Sequence, residues 1–138
     1  VLPPLWGVVL SDPVLIYHQG SGLIRKVDGT FVALGWAGNG LGKNNPSWQH
    51  QKNEGPLPRG IYEVGPWEEE HAGLGPIVAS LKQIQGETYG RSGFYFHGPA
   101  MDSAKFGQES RGCIVVPRAG RLKVKDLAPE GSLIEVVV

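Results

Sequence analysis

The segment Gly93-Phe94-Tyr95-Phe96-His97-Gly98 ends an aromatic run on a histidine followed by glycine. Sixteen positions later, from 97 to 113, comes the only cysteine of the chain, within Ser110-Arg111-Gly112-Cys113-Ile114. A free thiol has a pKa of ~8.5, so at neutral pH it stays mostly protonated and needs a neighbouring base or positive charge to act as a nucleophile. His97 has the chemistry of that base, and Arg111 adds positive charge beside the thiol. Glycine next to each residue permits close backbone approach by a substrate carbonyl. The N–H groups of Gly112 and Cys113 are suited to face a developing oxyanion. Spacing alone also fits a blander arrangement, a buried cysteine with a structural histidine.

Other residues invite chemistry less strongly. Glu68-Glu69-Glu70-His71 suggests a metal, yet adjacent carboxylates point in different directions and no second histidine lies at ligand spacing. A solvated turn is expected there, and no metal or other cofactor is expected in the chain. Gly38 to Lys43 lacks the glycine placement and the Ser/Thr of a phosphate loop. Trp36, Trp48, Trp67 and Tyr62 suit either a substrate groove or core packing. His18 and His50 read as surface residues, with His50 the better placed for substrate contact. Asp102 reads as a loop or capping residue, with a third catalytic role as the alternative.

The elements that must position Cys113 and His97 are short. Twenty-one glycines and eleven prolines interrupt nearly every candidate helix, and Val/Ile/Tyr/Phe runs lie between them, which predicts an all-β domain. Expected strands are Leu5–Leu10, Val14–Tyr17, Leu23–Val27, Phe31–Trp36, Arg59–Val64, Ile77–Ile84, Gly93–His97, Gly112–Val116 and Leu133–Val138. Asp28-Gly29 predicts a tight hairpin turn. Gly38 to Pro58 predicts a long functional loop, and Glu68 to Gly75 an exposed turn. Pro117 to Asp126 predicts the one helix, with Leu122 and Val124 facing inward.

At these positions the chain resembles the L,D-transpeptidase family, whose signature is His-Gly, a gap of a dozen or more residues, then Ser/Thr-His-Gly-Cys and a hydrophobic residue. His97-Gly98 and Ser110-Arg111-Gly112-Cys113-Ile114 match, except that Arg111 stands where cell-wall transpeptidases usually carry a second histidine. Gly38-Asn39-Gly40, Asn44-Asn45-Pro46 and Gly55-Pro56-Leu57-Pro58-Arg59-Gly60-Ile61-Tyr62 sharpen the match. They look like motifs of the type VI secretion L,D-transpeptidase effector branch, also found in phage-related loci. The matching segments run from about Tyr17 to Val116.

The resemblance implies a β-sandwich or barrel with one short helix after the cysteine, spanning 1–138 as a single catalytic domain. It implies Cys113 as nucleophile, His97 as base and then acid, the Gly98 carbonyl orienting the imidazole, and Ser110 as a hydrogen-bonding neighbour. Gly112 and Cys113 would form the oxyanion site, and Arg111, Trp36, Asn39, Asn45 and Tyr62 would contact substrate. For Arg111 that contact comes from its own chemistry and not from the family: its planar fork suits a substrate carboxylate. The substrate would be peptidoglycan stem peptides, trimmed of D-alanine or given another D-amino acid in exchange. Arg111 in place of histidine shifts the expectation from cross-linking to trimming. Synthesis in the cytoplasm, action in the periplasm of a rival bacterium and a cognate immunity protein are further implications. Two alternatives stay open: a phage-type lytic endopeptidase using the same dyad, and a non-catalytic cell-wall binding or phage structural module.

Composition sets outer bounds. A chain of 138 residues with 41% hydrophobic content is the size of one domain and can build one core. Thirteen basic and thirteen acidic residues cancel, which counts against a nucleic-acid partner. No apolar run approaches the ~20 residues of a membrane span. Val1-Leu2-Pro3-Pro4-Leu5 lacks the charged and apolar regions of a signal peptide, so trimming or another delivery route is expected.

Overall fold

The computed structural model describes residues 12–100 and 110–138. The expected strand Leu5–Leu10 and Asp102 lie outside the described residues. Nine strands form one sheet: β1 (Pro13–His18), β2 (Leu23–Lys26), β3 (Phe31–Leu34), β4 (Trp36–Ala37), β5 (Gly60–Glu68), β6 (Val78–Gly86), β7 (Phe94–His97), β8 (Ile114–Val115) and β9 (Leu133–Val137). One helix, α1 (Arg118–Leu127), follows β8. Among the described residues the fold is mostly β, as expected, with one α-helix, which follows the cysteine.

The strand order is β3-β2-β1-β9-β5-β6-β7-β8-β4. The two end strands, β3 and β4, are consecutive in sequence, with Gly35 alone between them. The sheet must therefore curl until its edges nearly meet, giving a barrel-like form. Gly35 is the seam: its N–H donates to the Gly22 carbonyl at 2.9 Å, and a Cβ there would lie 2.2 Å from the Val115 carbonyl oxygen. This explains why Phe31–Trp36, expected as one strand, is two. The chain changes neighbours at the glycine, from β2 to β8.

The Asp28-Gly29 turn forms within a four-residue connection between β2 and β3. Gly29 takes φ +97° and donates to the Lys26 carbonyl, while the Asp28 carboxylate accepts from the Thr30 N–H at 2.9 Å. The interior is filled by alternate strand residues, among them Leu15, Tyr17, Val64, Phe94, Phe96, Ile114 and Ile134. Val124 on α1 and Ala128 just after it are buried, and Gly120 lets the helix approach the Ala33 side chain closely. Leu122 is 41% exposed, unlike its expected inward position. Two residues span about 200° of helix, so Leu122 and Val124 cannot share a face.

Candidate active site

β7 and β8 are parallel neighbours, with Phe96 opposite Ile114 and His97 opposite Val115. Phe94, Phe96, Ile114 and Val116 enter the core. Alternation therefore turns Tyr95, His97 and Val115 to the opposite face, where Val115 is fully buried, and Cys113 immediately precedes β8. Cys113 is level with Tyr95, one step before Ile114, and stands diagonally from His97 on the adjacent strand, a spacing that side chains can bridge. Trp36, opposite Val115 on β4, shares this face, and its ring carries the Lys43 ammonium 5.0 Å from its centroid.

His97 is 5% exposed, and its Nδ1 lies 2.9 Å from the Gly98 carbonyl oxygen. A carbonyl only accepts, so Nδ1 carries the proton and the lone pair lies on Nε2, the tautomer a general base needs. Cys113 is partly exposed, and its Sγ faces the Gly93 carbonyl at 3.7 Å. Burial pushes its thiol pKa up, opposed by the backbone N–H of Tyr95, its own N–H and the charge of Arg91. Burial thus favours the protonated thiol over the thiolate.

The Cys113 loop is braced from three sides. Ser110 is fully buried; its Oγ donates to the Cys113 carbonyl at 2.6 Å and accepts from the N–H groups of Gly38 (2.8 Å) and Gly112 (3.1 Å). The Gly112 N–H thus points into the loop and away from the oxyanion role expected of it. Asn39, expected at the substrate, instead commits its amide nitrogen to the Ser110 carbonyl at 2.7 Å and the Asn53 carbonyl at 2.8 Å. Asn45 likewise holds its own loop, accepting from Ser47 N and Oγ and donating to the Leu41 carbonyl.

Arg91 went unnoticed in the sequence, where a lone arginine in a Gly-Arg-Ser-Gly loop looks like a surface residue. It is 5% exposed. Its guanidinium donates to the carbonyls of Gln49, Gly55, Pro56 and Arg111, and it lies over the Phe94 ring. The Leu57 N–H donates to the Gly112 carbonyl at 3.0 Å, and Tyr62 Oη donates to the Pro58 carbonyl at 2.6 Å. The Gly-Pro-Leu-Pro motif is therefore a brace behind the cysteine. Tyr62 is fully buried against Phe94, so it packs the core and does not line a groove. Burial pushes its phenol pKa up.

Two cavities lie beside β7, one of them lined by His97 and neither by Cys113. One, of about 280 Å³, is lined by Gly93, Tyr95, Ser80, Lys82 and Arg91 on the Cys113 side. The other, of about 470 Å³, is lined by His97, Gly98, Pro76, Arg118 and Arg121. The Arg111 side chain is exposed and lines neither. Trp67 stacks on Phe96 and donates to the Ala128 carbonyl, which makes it packing. His50 is exposed, edge-on to Tyr89. His18 accepts from Arg25 Nε at 3.0 Å. In the acidic turn, Glu69 pairs with Lys125, and His71 Nδ1 accepts from the N–H groups of Gly73 and Leu74.

A profile of the Tlde1 domain matches residues 32–128, more than half of the chain. No curated protein sequence matches. Among solved structures, an L,D-transpeptidase from Mycobacterium tuberculosis H37Rv is 15% identical with a TM-score of 0.56, covering 91% of this chain and 58% of that one. The helical cell shape determining protein Pgp2 from Campylobacter jejuni is 18% identical with a TM-score of 0.58, covering 88% and 46%. An L,D-transpeptidase from Xylanimonas cellulosilytica DSM 15894 is 20% identical with a TM-score of 0.53, covering 94% and 62%. The chain therefore spans about half to three fifths of these relatives, and the likeness establishes an L,D-transpeptidase-like fold.

Proposed function

The chain belongs to the Tlde1 domain family, and from that premise we propose that it is a cysteine-dependent peptidoglycan-modifying enzyme that trims stem tetrapeptides as an L,D-carboxypeptidase. The observation that supports this reading is that His97 ends β7 and Cys113 immediately precedes its parallel neighbour β8, with the Nδ1–H of His97 held by the Gly98 carbonyl.

The reaction follows from those groups. Nε2 of His97 takes the thiol proton as Cys113 Sγ attacks the carbonyl carbon of the meso-diaminopimelate L-centre. The C–N bond to D-alanine breaks, and His97 returns the proton to the departing amine. A thioester remains on Cys113. Water then adds to it, giving one proton to His97, and the C–S bond breaks to release the tripeptide and restore the thiol. If the amine of a D-amino acid attacks in place of water, the product is an exchanged tetrapeptide. The Cys113 N–H faces the oxyanion in both halves.

Membership of this family supports delivery as an antibacterial effector, made in the cytoplasm and acting in the periplasm of a target cell, with a cognate immunity protein as partner. No helix among the described residues is long and apolar enough to cross a membrane. With one cysteine, no intramolecular disulfide has to form after delivery.

The test is intact-protein mass spectrometry after brief mixing with tetrapeptide and acid quenching. The expected adduct equals tetrapeptide minus D-alanine, present on wild type and absent from Cys113→Ala. An adduct formed equally by Cys113→Ala would overturn the assignment.

A further inference from the structure

The cavity beside His97 holds charge that the attack on the carbonyl does not use. Arg121 is 4% exposed; its Nη1 donates to the Val116 carbonyl at 2.7 Å, its Nη2 reaches the Pro76 carbonyl at 3.5 Å, and its Nε has no partner among the described residues. The guanidinium lies flat against Gly98, where a Cβ would come within 2.2 Å of Nη1. Arg118 enters the same cavity from the first turn of α1. That turn has no acidic residue, and its N-cap, Pro117, supplies no capping side chain. Among the described residues neither arginine meets a carboxylate, since the ion pair found there joins Lys125 to Glu69. Burial and the Arg118 charge both lower the Arg121 pKa. Two cations and a helix N-terminus facing one cavity are complementary to an anion.

The chemistry of departure says which anion. A general acid must reach the nitrogen of the leaving group, so the leaving residue lies on the His97 side of the thiol. Its carboxylate carbon is two bonds beyond that nitrogen, which carries it into the cavity that His97 lines. We propose that Arg118 and Arg121 bind the free C-terminal carboxylate of the leaving residue, so that the enzyme reads a chain end. Leu74 and Pro99 supply apolar wall for a small side chain such as a methyl group. A stem whose D-alanine is amide-linked in a cross-bridge lacks the carboxylate and is refused. The inference rests on the trimming reaction above and names its specificity determinant. Arg111, on the exposed loop, is not the residue that does this.

The test separates binding from turnover. Cys113→Ala protein is titrated by calorimetry with stem tetrapeptide and with its C-terminal carboxamide. The acid is expected to bind about tenfold or more tightly than the amide, because the amide forfeits a charge-assisted pair. Adding Arg118→Gln, at an exposed position that leaves the melting temperature unchanged, is expected to remove most of that preference. Arg121→Gln is expected to remove it too; Arg118→Gln decides the matter if the buried position fails to fold. In Cys113-containing protein, Arg118→Gln is expected to raise KM for the acid with kcat changed less. Equal or absent binding of acid and amide, or a preference untouched by Arg118→Gln, overturns the proposal. A protein that prefers the acid but does not trim it would sink the reaction and support the carboxylate site.

Discussion

Ser110 Oγ donates to the backbone carbonyl of Cys113 across 2.6 Å while accepting from the N–H groups of Gly38 and Gly112. One hydroxyl has one proton and two lone pairs, so this one is saturated. It joins the Cys113 loop to the Gly-Asn-Gly loop inside the protein, out of contact with solvent. Ser110→Ala is expected to cost about 1–3 kcal/mol, because buried backbone groups lose their partner. Denaturant unfolding measures that loss, and turnover should fall at temperatures where the variant is still folded. An Ala variant with full stability and full rate would show that the loop holds itself.

Arg91 is the second brace, and its geometry resists conservative exchange. Four carbonyls, including that of Arg111, converge on one planar fork. A lysine is a point donor that cannot reach them together. Arg91→Lys is expected to destabilise by about 2–4 kcal/mol, as loss of a buried charged hydrogen-bond network does. A thermal melt within a degree of wild type would contradict this account.

Tyr62 separates core from groove. Tyr62→Phe removes a buried hydroxyl from the Pro58 carbonyl, 2.6 Å away, and is expected to cost about 1 kcal/mol. KM for tetrapeptide should not change, since the ring is fully buried. A raised KM with unchanged stability would put Tyr62 at the substrate.

The pH dependence of Cys113 has a definite sign. Burial holds its thiol pKa above the ordinary value, so the folded chain keeps that proton more tightly than the unfolded one. The corresponding stability is present below the ordinary thiol pKa and is lost as pH rises through the raised folded value. Iodoacetamide labelling of the resting enzyme should therefore rise at a higher pH than labelling of the unfolded chain. Cys113→Ala should lose less stability than wild type across the same alkaline range. A labelling midpoint below that of the unfolded chain would mean a resting thiolate.

Most of the strand framework was legible because glycine and proline punctuate it and the aromatic and branched runs between them alternate. Gly35 was not, because a glycine within a strand pattern gives no sign that the chain is changing partners at a barrel seam. The cysteine and histidine were legible from their glycine neighbours and the motif around them. The roles of Asn39, Asn45 and Tyr62 were not: a motif marks which residues matter without saying whether they meet the substrate or the backbone. Here all three hold loops or core. Arg91 left no trace, since only the folded chain brings the carbonyls of residues 49, 55, 56 and 111 around it. Arg121 was hidden for a related reason, as nothing in the helix pattern marks it and only the folded chain buries it against Gly98.

The most direct test of the central claim is the muropeptide profile of purified sacculi after incubation with wild-type and Cys113→Ala protein, read by mass. The account predicts that wild type converts tetrapeptide stems to tripeptide, or to exchanged tetrapeptide when a D-amino acid is supplied, with dimers left intact. Cys113→Ala should leave the profile as it was. Trimming by Cys113→Ala at the wild-type rate, or loss of dimers with tetrapeptide ends untouched, would contradict it.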